Sequence, residues 1–176
     1  MKRLLLAALL VIFVALLLSC SKTENKTVPD NTTAVSTKPA SETPGPTFST
    51  SDIDGNIHTL DEYRGKTPLV LNFWGTWCPP CRAELPDLKK IYADYSPKGV
   101  VFVGLATRDN PETVRKFAGD NGMDWTMLLA NQDALISFQI SGVPTTIFYD
   151  KNGVERGRLI GMSTYDQFKA QMDKIL

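Results

Sequence analysis

The sequence has little cysteine, almost no histidine and no excess of either charge. Its 176 residues include three cysteines and one histidine, and 19 basic residues balance 19 acidic ones. So few cysteines exclude a disulfide-rich scaffold. A zinc site would need a second pair of ligands beside a cysteine pair, and only Cys20 and His58 remain to supply it. The neutral balance gives no electrostatic basis for binding nucleic acid. We therefore expect one globular domain with no metal and no other cofactor.

The sequence has one long apolar run, which lies at its start. Lys2 and Arg3 precede the unbroken apolar stretch Leu4–Leu18, and Ser19 and Cys20 follow it. This run has the length of a signal-peptide core and is short for a membrane span. The letters LLSC resemble a bacterial lipobox. We predict a lipoprotein-type signal peptide over residues 1–19, with Cys20 lipidated. That would anchor the protein outside the cytoplasm, on the periplasmic side or the outer face of the cell membrane. Ordinary signal cleavage, or an uncleaved anchor with an incidental Cys20, is the alternative.

The next segment is rich in Ser, Thr, Pro, Asn and Lys and almost lacks large apolar side chains. Such a composition cannot bury enough apolar surface to fold. We therefore predict a disordered tether over residues 20–46 and a folded domain over residues 47–176.

Cys78 and Cys81 form a C-x-x-C motif between a predicted strand and a predicted helix. The continuous apolar run Leu69–Trp74 predicts a buried strand, and a helix is predicted from Pro79 to about residue 95. Unpaired N–H groups and the aligned peptide dipoles at a helix start stabilise a thiolate and lower its pKa. Cys78 is therefore the predicted nucleophile and the more exposed of the two thiols, and Cys81 resolves the mixed disulfide. Half of a zinc site and a purely structural disulfide are the alternatives, although a bridge over so short a loop stabilises little.

The rest of the domain alternates between strand and helix signals. Asn110 and Ser163 are predicted helix caps, and His58 is read as a solvent-side strand residue without catalytic support nearby. The predicted strands are a hairpin of residues 48–49 and 57–59, then 100–106, 124–129, 145–149 and 154–160. This order predicts an α/β fold with a central mixed sheet, helices on both faces and an N-terminal β-hairpin.

Three motifs together resemble the thioredoxin superfamily, and more closely its TlpA/ResA-like branch of extracytoplasmic thiol–disulfide oxidoreductases. They are WCPPC at 77–81, Glu84 three residues later and GVPTT at 142–146. The resemblance covers about residue 48 to the C-terminus. It implies a thioredoxin-like fold with an insertion before the cis-proline strand, and Pro144 as that cis-proline. It also implies that the Val143 backbone pairs with an extended substrate segment, and that Trp77 shapes the surface around Cys78.

Asn72 departs from the thioredoxin pattern. Plain thioredoxins carry a buried Asp at the matching position, and Asn cannot titrate. Glu84 lies one helical turn after Cys81 on the same side of the helix, and a Glu at this position lines the active site of ResA-like proteins. We predict that Glu84 takes the proton from Cys81. A solvated helix glutamate is the alternative.

The direction of electron flow is read from the two residues between the cysteines. They are prolines, and the absence of a histidine there favours a reductant over an oxidant. The resemblance implies protein disulfide substrates, for example the heme-attachment cysteines of apocytochrome c. It also implies a membrane thiol transporter of the CcdA/DsbD kind as electron donor.

Two alternative functions stay open. One is a peroxiredoxin-like peroxidase, although Gly75 stands where that pattern has Thr; the other is a non-enzymatic thioredoxin-fold binding lipoprotein.

Overall fold

The computed structural model describes residues 45–176. The predicted signal peptide, the lipidation site Cys20 and all but the last two residues of the predicted tether lie outside the described residues. Within residues 45–176, no helix combines the length and apolar character needed to cross a membrane. The strands and helices of this part are β1 (Ser49–Ser51), β2 (Ile57–Thr59), β3 (Leu69–Trp74), α1 (Pro79–Tyr95), β4 (Val101–Thr107), α2 (Pro111–Asn121), β5 (Thr126–Ala130), α3 (Gln132–Ser137), β6 (Thr145–Tyr149), β7 (Glu155–Ile160) and α4 (Tyr165–Ile175).

β3 is the middle strand of a five-stranded sheet with the order β5-β4-β3-β6-β7. It pairs in parallel with β4 and antiparallel with β6, and every residue of β3 is buried. The sheet is therefore mixed, as predicted. β3 leads directly into the C-x-x-C motif, so the cysteines lie at the carboxyl end of the most enclosed strand.

The side chains of β3 alternate between two apolar layers, as the strand period of two requires. Val70 and Trp74 belong to a layer that includes core residues of α1, α2 and α4. Leu71 and Phe73 belong to the opposite layer, which the segment before β1, the short 3₁₀ turn after β2 and the α3 region complete. Each fully buried Leu or Phe contributes about 1.5–3 kcal/mol, so both layers hold β3 in place.

The β1–β2 hairpin is attached beside β5 rather than extending the main sheet. Thr50 donates its hydroxyl to the carbonyl of Leu129, and Asn131 donates its side-chain amide to the carbonyl of Ser49 at 2.9 Å. Asp52 forms an isolated antiparallel bridge with Leu128. These contacts fix the predicted N-terminal hairpin against an edge of the sheet.

The predicted cap of the last helix is wrong by one residue. Thr164, not Ser163, has the extended backbone of an N-cap, and its N–H donates to Oε1 of Gln167 at 2.9 Å. The carbonyl of Thr164 accepts the N–H of Phe168 at 3.0 Å, so the helical hydrogen bonding begins at Thr164, while the N–H of Ser163 is bound to Glu84. Four strands also differ in their bounds: β1 and β4 begin and end later than predicted, β5 is Thr126–Ala130 rather than residues 124–129, and β7 begins at Glu155.

Candidate active site

Cys78 is the N-cap of α1, and its sulfur takes part in the cap. Its backbone is extended, with φ −92° and ψ 108°, and Sγ accepts the N–H of Cys81 at 3.3 Å. The two cysteines are joined in a disulfide with Cα atoms 5.3 Å apart. The N–H groups at a helix start are the ones without helical partners, so this sulfur lies where a thiolate is stabilised.

The first turn of α1 offers Cys78 few hydrogen-bond donors. Pro79 and Pro80 occupy its first two positions, and proline has no backbone N–H. The N–H of Arg82 is used by the carbonyl oxygen of Cys78 at 3.2 Å. Among the described residues, the N–H of Cys81 is therefore the one backbone donor that reaches the sulfur of Cys78.

Both cysteines are buried in the disulfide state. Cys78 is 2% exposed and Cys81 is 5% exposed, so the prediction that Cys78 is the more exposed thiol is wrong. The carbonyl oxygen of Val143 lies 3.6 Å from Sγ of Cys78 and covers it. The two cysteines are distinguished by their place in the helix, not by exposure.

The Val143–Pro144 peptide bond is cis, as the resemblance implied. The carbonyl of Pro144 accepts the N–H of Gly161 at 2.8 Å, and Thr145 donates its hydroxyl to the carbonyl of Gly142, also at 2.8 Å. This segment is thus tied to the loop after β7, while the carbonyl of Val143 faces the redox sulfur.

Trp77 lies at the surface beside the disulfide, with 43% of the residue exposed. Its indole Nε1 donates to the carbonyl of Thr107 at 2.9 Å. The preceding Thr76 donates its N–H and its hydroxyl to the carboxylate of Asp109, at 2.8 and 2.6 Å. The loop that carries the C-x-x-C motif is therefore bound to the loop after β4, which holds the Trp77 ring in position.

Glu84 lies in the interior and is 2% exposed. Its Oε2 accepts the N–H of Ser163 at 3.0 Å, and its Oε1 lies 3.4 Å from the Nδ2 of Asn72. Asn72 also donates to the hydroxyl of Thr146 at 2.9 Å. Burial raises the pKa of Glu84 to about 7, and the hydrogen bonds from Ser163 and Asn72 only partly oppose this. A carboxyl with such a pKa can exchange a proton near neutral pH.

Comparison with known proteins assigns the domain. A model of the AhpC/TSA family matches residues 42–156. The chain belongs to this family. It is 34% identical over 131 residues to the thiol-disulfide oxidoreductase ResA of Geobacillus thermodenitrificans, a match that covers 74% of this chain and 75% of the relative.

Solved structures of related oxidoreductases have the same fold. A thiol:disulfide interchange protein of the thioredoxin family from Chlorobium tepidum matches with a TM-score of 0.66 and 28% identity, over 77% of this chain and 97% of that one. A secreted disulfide oxidoreductase of Mycobacterium tuberculosis matches with a TM-score of 0.62 and 27% identity, over 72% and 94%. Together with the Cys78–Cys81 pair, these relatives make this AhpC/TSA-family chain a thiol–disulfide oxidoreductase with a thioredoxin-like fold, which confirms the predicted fold and enzyme class.

The site of this oxidoreductase lacks the threonine of the peroxidase pattern. Gly75 stands three residues before Cys78, and a Cβ there would lie 2.6 Å from the indole nitrogen of Trp77. That indole is held by Thr107, so a side chain at position 75 would displace it. The hydroxyl of Thr76 is already donated to Asp109. The local geometry does not favour the peroxidase alternative.

Sequence reasoning missed several groups that shape this oxidoreductase site. The N–H of Ser163 reaches Glu84 from a distant loop, and no side-chain pattern signals a backbone donor. Thr146 lies in the GVPTT motif, but its bond to Asn72 depends on the β3–β6 register, in which the two residues are paired. Asp109 follows a predicted strand, and this position could have indicated that its side chain lies at the carboxyl edge of the sheet.

His58 lies in the predicted strand β2, and its side chain belongs to a hydrogen-bonded cluster that was not predicted from the sequence. Its Nδ1 lies 2.8 Å from Glu62 and 3.0 Å from the hydroxyl of Tyr63, and its Nε2 lies 3.2 Å from Asp52. Burial lowers the pKa of His58, but the hydrogen bonds and charges of Glu62 and Asp52 raise it overall. This cluster belongs to the hairpin region and shares no residue with the redox site.

Proposed function

We propose that this oxidoreductase reduces protein disulfides outside the cytoplasm. The observation that carries the direction of electron flow is the pair of prolines in the first turn of α1. An oxidant of this fold is strong when its reduced form, with a free thiolate, is stabilised. Here Pro79 and Pro80 remove two N–H groups that would otherwise lie at the helix start near Cys78, and the described residues leave one backbone donor on its sulfur. The thiolate of Cys78 is therefore stabilised enough to react, but less than the thiolate of a strong oxidant is.

The reaction that we propose has two exchange steps. The thiolate of Cys78 attacks one sulfur of a substrate disulfide, which forms a mixed disulfide and releases the other substrate sulfur as a thiolate. Cys81 then loses its proton and attacks the sulfur of Cys78, which releases the second substrate thiolate. The substrate gains two electrons, and the enzyme is left with the Cys78–Cys81 disulfide seen in the structure. A dithiol donor must then reduce it again.

Glu84 is the base that we propose for Cys81. It lies one turn further along α1, so the two side chains share a side of the helix. Its raised pKa, about 7, suits a group that accepts a proton near neutral pH. Asn72 has no proton to exchange in this range, which leaves Glu84 as the titratable group of this buried cluster.

Val143, Pro144 and Trp77 form the surface that we propose for the substrate backbone. The carbonyl of Val143 already contacts the sulfur of Cys78, and Trp77 is exposed next to it. An extended substrate segment that pairs with the Val143 backbone would bring its own disulfide to Cys78.

Apocytochrome c with an oxidised heme-attachment pair is the substrate that we propose, and a membrane thiol transporter of the CcdA/DsbD kind is the donor. The resemblance to ResA-like proteins supports this substrate and this donor, and the secreted Mycobacterium relative supports a place outside the cytoplasm. We further propose that the lipidated Cys20 anchors the protein to the membrane and that residues 20–46 tether the domain. The Cys20→Ser variant should then be exported without acyl chains. A wild-type mature N-terminal peptide without lipid mass would contradict the anchor.

Trapping tests the function directly. In Cys81→Ser the second exchange step is blocked, so partners that are attacked by Cys78 stay linked to it. We expect covalent complexes with cysteine-containing exported proteins that disappear on reduction and are absent from a Cys78→Ser, Cys81→Ser control. The purified wild type should also reduce a peptide with an oxidised C-x-x-C-H motif. Preferential oxidation of the reduced peptide, or consumption of peroxide at a comparable rate, would overturn the proposal.

A further inference from the structure

Arg108 lies directly beside the redox site, in contact with Trp77. Its guanidinium carbon is 4.3 Å from the centroid of the Trp77 ring, within the range of a cation–π contact. The neighbouring carboxylate of Asp109 is occupied by the N–H and hydroxyl of Thr76. In the part of the chain that the structure describes, Arg108 forms no salt bridge. Its positive charge is thus held against Trp77, and no carboxylate of residues 45–176 neutralises it by a salt bridge.

The backbone of Arg108 supports a role for this arrangement. Its φ is +52°, in the left-handed region that glycine and asparagine usually occupy. A residue with a long side chain is disfavoured in this conformation. Residues that are nevertheless held in it cluster at functional sites. The conformation occurs where the chain leaves β4, directly after Thr107, which holds the indole of Trp77.

Arg108 also lines a groove whose wall includes Val143, the residue beside the sulfur of Cys78. The groove has a volume of about 250 Å³, and Arg108 is the one charged residue among those that line it. Gly142 and Val143 form another part of its wall, and the carbonyl of Val143 lies 3.6 Å from the sulfur. The remaining lining residues are polar or apolar and uncharged: Thr107, Gln132, Leu135, Ile140 and Ser141. The groove therefore offers a single positive charge close to the point of disulfide exchange.

We propose that Arg108 is a specificity residue that binds an acidic side chain of the protein substrate close to the cysteine under attack. The proposal rests on the proposed function, because it needs a polypeptide substrate lying between Trp77 and Val143. Arginine presents a planar fork that matches a carboxylate, and its stacking on Trp77 orders that fork before the substrate arrives. A substrate with Asp or Glu within reach of the groove should react faster than its amide counterpart.

The test uses peptide disulfides that differ by one Asp or Asn, placed in turn at each of about three positions on either side of the cysteine. The ratio of kcat/KM for the Asp and Asn peptides is measured at low and high salt. An exposed charge pair is worth up to about 1 kcal/mol, so at the responsive position we expect a ratio of roughly two to five at low salt, decreasing as salt is added. In Arg108→Gln the ratio should fall to about one, and in Arg108→Glu it should invert to favour Asn.

Lys151→Gln is the matched control. Lys151 is an exposed cation with no salt bridge among the described residues, and it lies in the turn after β6. β6 begins beside Pro144 and runs away from it, so this turn lies at the opposite end of the sheet from the disulfide. Its variant should keep the wild-type ratio.

Two results would overturn the inference, and they differ in what they say about the enzyme. If the wild type reduces both members of every peptide pair at equal rates, or Arg108→Gln keeps the preference, Arg108 has no role in specificity and the reductase function stands. If the wild type reduces no peptide disulfide yet exchanges with small dithiols, the proposed function fails and the inference fails with it.

Discussion

The redox site and the hairpin region each hold a glutamate that accepts a backbone N–H, but their pKa values move in opposite directions. Glu84 accepts the N–H of Ser163 at 3.0 Å, and Glu62 accepts the N–H of Thr59 at 2.7 Å. The Thr59 N–H and then His58 lower the pKa of the exposed Glu62. Burial raises the pKa of Glu84 to about 7 despite its donors. One backbone hydrogen bond does not offset the desolvation of a buried carboxylate.

Solvent contact separates the two carboxylates: the exposed Glu62 has a lowered pKa, whereas the buried Glu84 has a raised one. In the hairpin cluster the pKa values of Asp52 and Glu62 are lowered, so both carboxylates are ionised at neutral pH and form charge-assisted hydrogen bonds with His58. The cluster at Glu84 is poised between its two protonation states. Four experiments test this contrast, in order of decreasing expected effect.

The largest expected effect is on the pH dependence of stability. A carboxyl whose folded pKa is raised stabilises the fold fully below its ordinary pKa of 4.5 and loses this contribution as pH rises through about 7. At about 1.4 kcal/mol per pKa unit, this difference amounts to about 3 kcal/mol. Glu84→Gln keeps the shape and cannot ionise. The difference in free energy of unfolding between this variant and the wild type should therefore shift in favour of the variant by about 3 kcal/mol as pH rises from acidic to alkaline.

Urea unfolding of the oxidised proteins across this pH range provides the measurement. Glu62→Gln is the control with the opposite sign. The lowered pKa of Glu62 stabilises the folded protein above the ordinary glutamate pKa of 4.5, and this contribution to stability is lost as pH falls. Parallel profiles for wild type and Glu84→Gln would contradict the interpretation of Glu84 as a buried carboxyl group with a raised pKa.

The second effect concerns the donor that faces Glu84. Asn72→Asp replaces an amide donor 3.4 Å from Oε1 of Glu84 with a second carboxyl group. The two groups cannot both ionise without repulsion, and a buried bond is lost, so the unfolding free energy should drop by about 2 kcal/mol at neutral pH. Asn56→Asp is the matched control, because Asn56 donates to Asp52 at 3.0 Å in an exposed setting. An equal loss in both variants would show that burial is not the deciding factor.

The third effect is kinetic. General-base catalysis contributes on the order of 10²–10⁴, so Glu84→Gln should slow disulfide exchange by roughly tenfold or more. The loss should fall on the step in which Cys81 resolves the mixed disulfide, while the first attack by Cys78 is preserved. In the wild type this step should accelerate as pH rises through about 7, where Glu84 becomes ionised. Stopped-flow reduction of a model disulfide across pH measures both steps. Superimposable pH profiles would make water the proton acceptor.

The smallest effect belongs to the hairpin cluster. The raised pKa of His58 means that its charged form stabilises the fold below its ordinary pKa of 6.5, and that this contribution is lost as pH rises through the folded value. His58→Gln should therefore destabilise the protein in mildly acidic solution and less in alkaline solution, by less than the variants at positions 72 and 84. Thermal unfolding at the two pH values measures this difference. A loss that does not change with pH would mean that His58 contributes packing and neutral hydrogen bonds alone.

Local sequence patterns predicted the elements that build the site. The apolar run of β3, the prolines that open α1 and the side-chain cap at Asn110 each act over a few residues, and the structure contains all three. The contacts of Glu84 and Arg108 were not predicted, because they join segments far apart in the chain. Ser163 shows the reason most clearly. Its residue type suggested a helix cap, whereas sheet register and loop placement direct its N–H to a glutamate 79 positions earlier.

The attachment of the hairpin beside β5 bears on how the protein behaves at high concentration. An edge strand with free N–H and carbonyl groups is a template for pairing with another molecule. At the β5 edge, Thr50, Asn131 and the Asp52 bridge already occupy backbone groups of that region. At the other edge, β7 carries Glu155, Arg156 and Arg158, and charged side chains oppose strand addition. Both margins of the five-stranded sheet are thus guarded against strand addition from a second molecule, so we expect the domain to stay free of edge-to-edge association when it is concentrated.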